Sequence, residues 1–157
     1  MGEYNLEFAE AMAEASNLIL HSESLHEEGQ RAALYTALVA CEIALKYALS
    51  EAGVTVPKTH DLSKLMGLVS DCSIEDVDSN GAIKRVPASR IRGVSASDNY
   101  SDATLGNLLE AEEFGASKFP NEIRYGRTLE HFPASVMQQA SLKLIAWVKC
   151  YAPSIQA

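Results

Sequence analysis

A chain of 157 residues, 47% hydrophobic and 22% charged, is sized for one soluble globular domain that buries its own core without staples. Its net charge of −8 argues against non-specific nucleic-acid binding, because phosphate neutralisation supplies most of that affinity. The three cysteines, Cys41, Cys72 and Cys150, are odd in number and form no C-x-x-C pair, so neither a disulfide framework nor a thiolate zinc site is encoded.

The N-terminal stretch MGEYNLEFAEAMAEA carries acids where a secretory leader carries basic residues. Leu6 also stands where the myristoylation pattern needs Ser or Thr. A reduced cytoplasmic protein is expected, with no membrane partner, since no apolar run approaches the roughly 20 residues of a span. Over residues 4–26, Phe8, Met12, Ala15 and Ile19 share one stripe, which predicts a first helix with that face inward. His21 and His26 are five apart and share no helical face well, so no metal site is expected there.

GQRAALYTALVACEIALKYALSEAG is the strongest helical segment. Leu34, Leu38, Cys41, Leu45 and Ala48 repeat at helical spacing, and Tyr35, Val39, Ile43 and Tyr47 make a second stripe. A helix that is apolar on two sides is packed on two sides, which predicts the central helix of a bundle. Gly53 is placed to end it, with Pro57 beyond. KTHDLSKLMGLV restarts a helix through Thr59 or Asp61, with Leu62, Leu65, Met66 and Val69 inward.

Residues 71–99 lose all period and are too long for an ordinary connection, so they form an inserted functional loop, a β-hairpin or a disordered segment. The short alternation in AIKRV and SRIRGV suggests the hairpin. Residues 79–97 contain Lys84, Arg85, Arg90 and Arg92 and no acid, whereas residues 1–30 contain seven acids and no Lys or Arg. This basic stretch is either a solvated loop or a surface that holds phosphate. SDATLGNLLEAEEFG predicts another helix entered through Ser101 or Asp102. A last helix starting at Pro133 buries Val136, Ala140, Leu144, Trp147 and Tyr151. The expected fold is all-α: an up-and-down bundle of four to five helices in a single domain over 1–157, with one long irregular arm or small hairpin at about 71–99.

Just before the last helix stands RYGRTLEH, with Arg124, Tyr125, Arg127 and His131. Its plain reading is a bundle-end cap, with Arg124 paired to an acid of 110–113 or 122 and Tyr125 sealing the end. Glu42 and Lys46, at i and i+4, read as a surface pair worth a few tenths of a kcal/mol. His60 and Asp61 read as a helix start, where Asp caps free amides. Trp147 and the tyrosines read as core.

The pairing of ACEIALKYALSEAG with VPKTHDLSKLM resembles the HEPN family of helical nucleotide-binding domains of higher eukaryotes and prokaryotes. The residues that carry the likeness are Glu42 and Lys46, then Gly53 and Pro57, then Thr59, His60, Asp61 and Leu62, and later Arg124 with Tyr125. The likeness covers most of the chain outside 71–99. It implies a homodimer in which the last helix, with the helix before the arm, supplies part of the contact. Many members are metal-independent ribonucleases marked by Arg, four to six residues, then His; Arg124 and His131 have six between them. There a histidine moves the proton and an arginine stabilises charge on the phosphoryl oxygens. In this sequence Tyr125 replaces the polar residue that follows the Arg in those members, Gly126 and Pro133 bracket the motif, and Arg127 lies too close to His131. The expectation is therefore a non-catalytic HEPN-like binding or assembly domain that holds nucleotide or RNA phosphate through Lys84, Arg85, Arg90, Arg92, Tyr125 and Arg127. It would work with a nucleotidyltransferase, antitoxin or other defence partner of prokaryotic type. The alternative is a toxin-type ribonuclease using Arg124 and His131 across the dimer interface. No P-loop, Gly-rich dinucleotide turn or ligand cluster is encoded, so no cofactor or metal is expected.

Overall fold

The computed structural model describes residues 3–110 and 133–157. In chain order they form α1 (Leu6–Leu20), α2 (His26–Glu51), α3 (Leu62–Ser70), β1 (Ser73–Val77), β2 (Ile83–Pro87), a 3-10 helix (Ala88–Gly93), α4 (Leu105–Glu110), α5 (Ala134–Tyr151) and a closing 3-10 turn (Ala152–Ser154). The protein is predominantly helical, as expected. Helices α1, α2 and α5 pack on one another, and α3 lies on α2 and carries α4 and the longer 3-10 helix.

Asn5 starts α1 by accepting from the amides of Glu7 at 2.7 Å and Phe8 at 3.3 Å, satisfying donors the helix cannot pair itself. The helix stops at Leu20, not 26, and its inward face is Ala9, Ala13 and Ser16. Phe8, predicted to face inward, is 55% exposed. The cause is close approach: small side chains let α1 lie against the buried alanines of α2, and Ser16 Oγ donates to the Ala33 carbonyl at 2.7 Å. The connection is equally tight. A Cβ on Gly29 would sit 2.7 Å from Leu25 Cβ, and His26 takes φ +50°, a region non-glycine residues seldom adopt. Gly29→Ala should therefore lower stability by about 1–2 kcal/mol, although alanine ordinarily gains about 1 kcal/mol in a helix. Urea denaturation checks this; an unchanged or raised midpoint would show that the turn yields freely.

Both stripes of α2 behave as predicted. Leu34, Leu38, Cys41, Leu45 and Ala48 are buried, and Tyr35, Val39, Ile43 and Tyr47 are half-buried against the core. Gly53 follows the helix at φ +78°, where a side chain would be strained. Contrary to the sequence expectation, α2 is long and apolar enough to cross a membrane by length and composition. Most of that window, 61%, is buried inside the protein, as for a central core helix. In α3, Asp61 accepts from the Lys64 amide, Thr59 Oγ1 accepts from the Asp61 amide, and Leu62, Leu65, Met66 and Val69 are all buried.

The arm is an ordered antiparallel hairpin. AIKRV supplies β2, but its partner is SIEDV upstream, with Ile74 opposite Val86 and Asp76 opposite Lys84. SRIRGV, predicted as the second strand, winds into the 3-10 helix, which buries Ile91. Asp78 closes the hairpin turn by accepting from the amides of Asn80 and Ala82. The outer edge of β1 is also occupied. Ser73 and Gln156 exchange backbone hydrogen bonds of 2.8 and 2.9 Å, and Ser154 Oγ accepts from the Glu75 amide. An isolated hairpin is marginal in water; this one gains the chain's last residues as a third segment. Helix α4 is entered through Thr104, whose Oγ1 accepts from the Asn107 amide, and not through Ser101 or Asp102. Val136, Ala140, Leu144 and Trp147 of α5 are buried as predicted, and half-buried Tyr151 lies against Trp147, ring centroids 5.0 Å apart.

Candidate functional site

Two polar constellations stand out among the described residues. The first joins α2 to the start of α3. Lys46 Nζ donates to Glu42 Oε2 at 3.2 Å, and His60 Nδ1 lies 2.9 Å from Glu42 Oε1. An ionised carboxylate only accepts, so this contact puts a proton on Nδ1. The Glu42 and Lys46 side chains are 13% and 9% exposed, while that of His60 is 64% exposed. The predicted surface pair is thus a largely covered one. The Lys46 ammonium also lies over the Tyr4 ring, its Nζ 5.8 Å from the centroid, a distance at which a cation gains from the ring face. The sequence puts Tyr4 at the start of the first helical segment and reads the tyrosines as core; in the structure Tyr4 precedes α1 and lies against Lys46. Glu42 couples two elements: one carboxylate fixes an ammonium on its own helix and an imidazole on the next turn.

The second constellation is the basic arm. Lys84 and Arg85 stand on β2, and Arg90 and Arg92 on the 3-10 helix. Each arginine has acquired an acid. Arg85 reaches Glu75 at 3.4 Å, Ser73 Oγ at 3.0 Å and the Ser154 carbonyl at 3.0 Å. Arg90 reaches Asp76 at 3.1 Å, and Tyr151 Oη donates to the same carboxylate oxygen at 3.4 Å. Arg92 holds Glu110 with two hydrogen bonds, 2.7 and 3.0 Å, and this partner pushes its pKa further up. Burial, and then Asp76, likewise push the Tyr151 hydroxyl up. Gly106 permits the Arg92–Glu110 contact, because a Cβ there would stand 3.0 Å from the Arg92 carbonyl oxygen. Lys84 faces Asp76 across the ladder, and no ion pair closes on its ammonium among the described residues.

Glu75 and Asp76 lie within the arm and Glu110 on another helix, and no periodicity in the sequence pairs them with the arm's arginines. Arg124, Tyr125, Arg127 and His131 lie outside the described residues. Among the described residues, no group of three or more His, Cys, Asp or Glu is placed to hold a metal ion. His21 Nδ1 is bonded to the Asn17 carbonyl of its own helix.

The helix–turn–helix that Glu42, Lys46 and His60 lock together, and the bundle around it, define a class of protein. The chain belongs to the HEPN domain family, which it matches over residues 7–114. The match runs through the arm at 71–99, which the resemblance in the sequence had left out, and stops before RYGRTLEH. This makes it a nucleotide- or RNA-related domain. No curated protein and no solved structure matches the chain.

Proposed function

We propose that this chain is a non-catalytic HEPN-like binding and assembly domain whose arm presents donors to the phosphates of a nucleotide or a short RNA strand. The supporting observation is how the arm's guanidinium groups are held. Arg85, Arg90 and Arg92 keep 33%, 53% and 44% of their side-chain surface in contact with solvent while acids of the same chain fix them. A guanidinium carries five N–H donors in a rigid fork. Arg90 spends one on Asp76 and Arg92 two on Glu110, so the rest are already positioned for an incoming oxyanion. Lys84 adds an ammonium beside them. The acids moderate the local positive potential, so binding is selective and weak and requires a polyanion. In the same proposal the domain works in a reducing cytoplasm, which suits the free thiols Cys41 and Cys72, beside a nucleotidyltransferase or antitoxin-type partner.

Fluorescence anisotropy with a single-stranded RNA oligonucleotide tests this. Affinity should fall with salt by about 0.7 powers per phosphate neutralised. Changing Lys84, Arg85, Arg90 and Arg92 together to Gln should abolish it. No affinity at low salt would remove the arm from the account. Incubating the same RNA with the protein in chelator separates the second class of function. Intact RNA is expected; cleavage that disappears in His131→Ala would replace the binding domain with a ribonuclease.

A further inference from the structure

The outer face of α1 is an apolar stripe that the bundle leaves open. Phe8, Ala11, Ala15 and Leu18 follow one another at spacings of 3, 4 and 3, and Phe8 and Leu18 are 55% and 70% exposed. Beside it runs a groove of about 220 Å³ between α1 and α5, lined by Glu10, Glu14, Leu142, Ile145, Ala146 and Lys149. Glu14 belongs to both, since it falls on the Ala11–Leu18 line and walls the groove. Stripe and groove therefore make one surface, apolar along its length and acidic at its margin.

The charge is one-sided. Glu10 is paired with Lys149, but Glu7 and Glu14 have no basic partner among the described residues. Residues 1–30 offer none, having seven acids and no Lys or Arg. A helix face of this kind is matched by another helix with apolar residues at i, i+3, i+4 and i+7 and with Lys or Arg on its flanks. A second copy of this chain matches it poorly. It would set Glu7 and Glu14 against Lys143, the one remaining basic residue on α1 and α5, and would add another net charge of −8. α1 is about 22 Å long at 1.5 Å per residue, so the fit is to about four helical turns.

We infer that the α1–α5 face docks a basic amphipathic helix of a different polypeptide, with the partner's apolar side chains over Leu18, Leu142 and Ala146 and its cations on Glu7 and Glu14. This surface is separate from the arm and does not depend on what the arm binds.

The probe is a synthetic fifteen-residue peptide with Leu at i, i+3, i+4 and i+7 and Lys on the flanking positions, titrated into the full chain by anisotropy. Two controls accompany it: the same residues scrambled to remove the stripe, and the same stripe with Glu flanks. Saturable one-to-one binding of the amphipathic basic peptide alone is expected. Leu18→Glu is the decisive variant. It adds a negative charge, so attraction by net charge alone would tighten, whereas docking predicts loss of about tenfold or more in affinity. Glu7→Gln with Glu14→Gln should weaken binding and flatten its salt dependence. The fourfold Gln variant of the arm should bind the peptide as the wild type does. Equal binding of the scrambled peptide, tighter binding by Leu18→Glu, or no saturation at all would overturn the proposal. So would a dimer in sedimentation that Leu18→Glu dissociates, because a second copy would then own the face. Leu18 is exposed, and an unchanged melting temperature verifies that the variant is folded.

Discussion

Replacing Glu42 by Ala is expected to destabilise the protein by about 3 kcal/mol. Lys46 would keep its place beside Tyr4, with 9% of its side chain exposed, and lose the carboxylate that compensates its desolvation. Removing one partner of a covered ion pair costs more than the pair contributes, because the other charge is stranded. His60 would lose the same carboxylate, loosening the start of α3. For a domain of this size each kcal/mol moves the melting temperature by about 2–4 °C, so a fall of about 6–12 °C is expected. Glu42→Gln, which keeps a neutral acceptor, should cost roughly half as much. Combining Glu42→Ala with Lys46→Met should recover part of the loss, since no stranded charge remains, and a double-mutant cycle reads the coupling. A shift under one degree for Glu42→Ala, with RNA binding lost, would turn this cluster from a lock between helices into a ligand site.

Alkali should expose the burial of Cys41. The thiol is wholly buried in α2, and loss of hydration pushes its pKa up from 9.0 to about 12. Because the folded value is raised, the stabilising term is fully present below pH 9 and is lost as pH rises from 9 towards 12. Each pH unit in that window removes about 1.4 kcal/mol. Between pH 8 and pH 10.5 the protein should lose about 2 kcal/mol through this group alone. Cys72, also raised by burial and by Asp71, and Tyr151 act in the same direction. The isolating measurement is therefore the difference between wild type and Cys41→Ala. The two curves of unfolding free energy against pH should converge above pH 9, whatever offset the lost sulfur leaves below it. Parallel curves would mean that Cys41 ionises without opposition. At pH 8 a thiol reagent should reach exposed Cys150 in the native protein and spare Cys41.

The long periodic segments were legible, for a physical reason. In α2 the apolar spacing persists for about four turns, from Leu34 to Ala48, and in α3 the cap and the inner face agree, so local and tertiary preferences point the same way. They diverged in α1. The sequence reading gave the inward face to the larger residues, Phe8, Met12 and Ile19, whereas packing chose Ala9, Ala13 and Ser16 because helix approach is set by the smallest side chains at the contact. The hairpin was half legible. AIKRV shows strand alternation, but SIEDV, with two acids in five residues, does not look like the partner it becomes. Its acids are explained only once Arg85 and Arg90 face them. Glu42 and Lys46 were legible as a pair and illegible as a covered one, because the further partners they acquire, Tyr4 and His60, stand outside α2.

The two hydrogen bonds between Ser73 and Gln156 set a timetable for biosynthesis. The residues they join are roughly 80 positions apart, so at about 5–20 residues per second the first waits about 4–16 s for the second to be made. Long-range pairings of this kind are slow to close even in a finished chain. Helices α1, α2 and α3 are complete before then, and their mutual contacts are comparatively local. The arm, with its arginines and their acids, is consequently among the last parts to settle. Arg92 is fixed earlier by Glu110, whereas Arg85 gains its bond to the Ser154 carbonyl only when the C-terminal segment has docked beside β1.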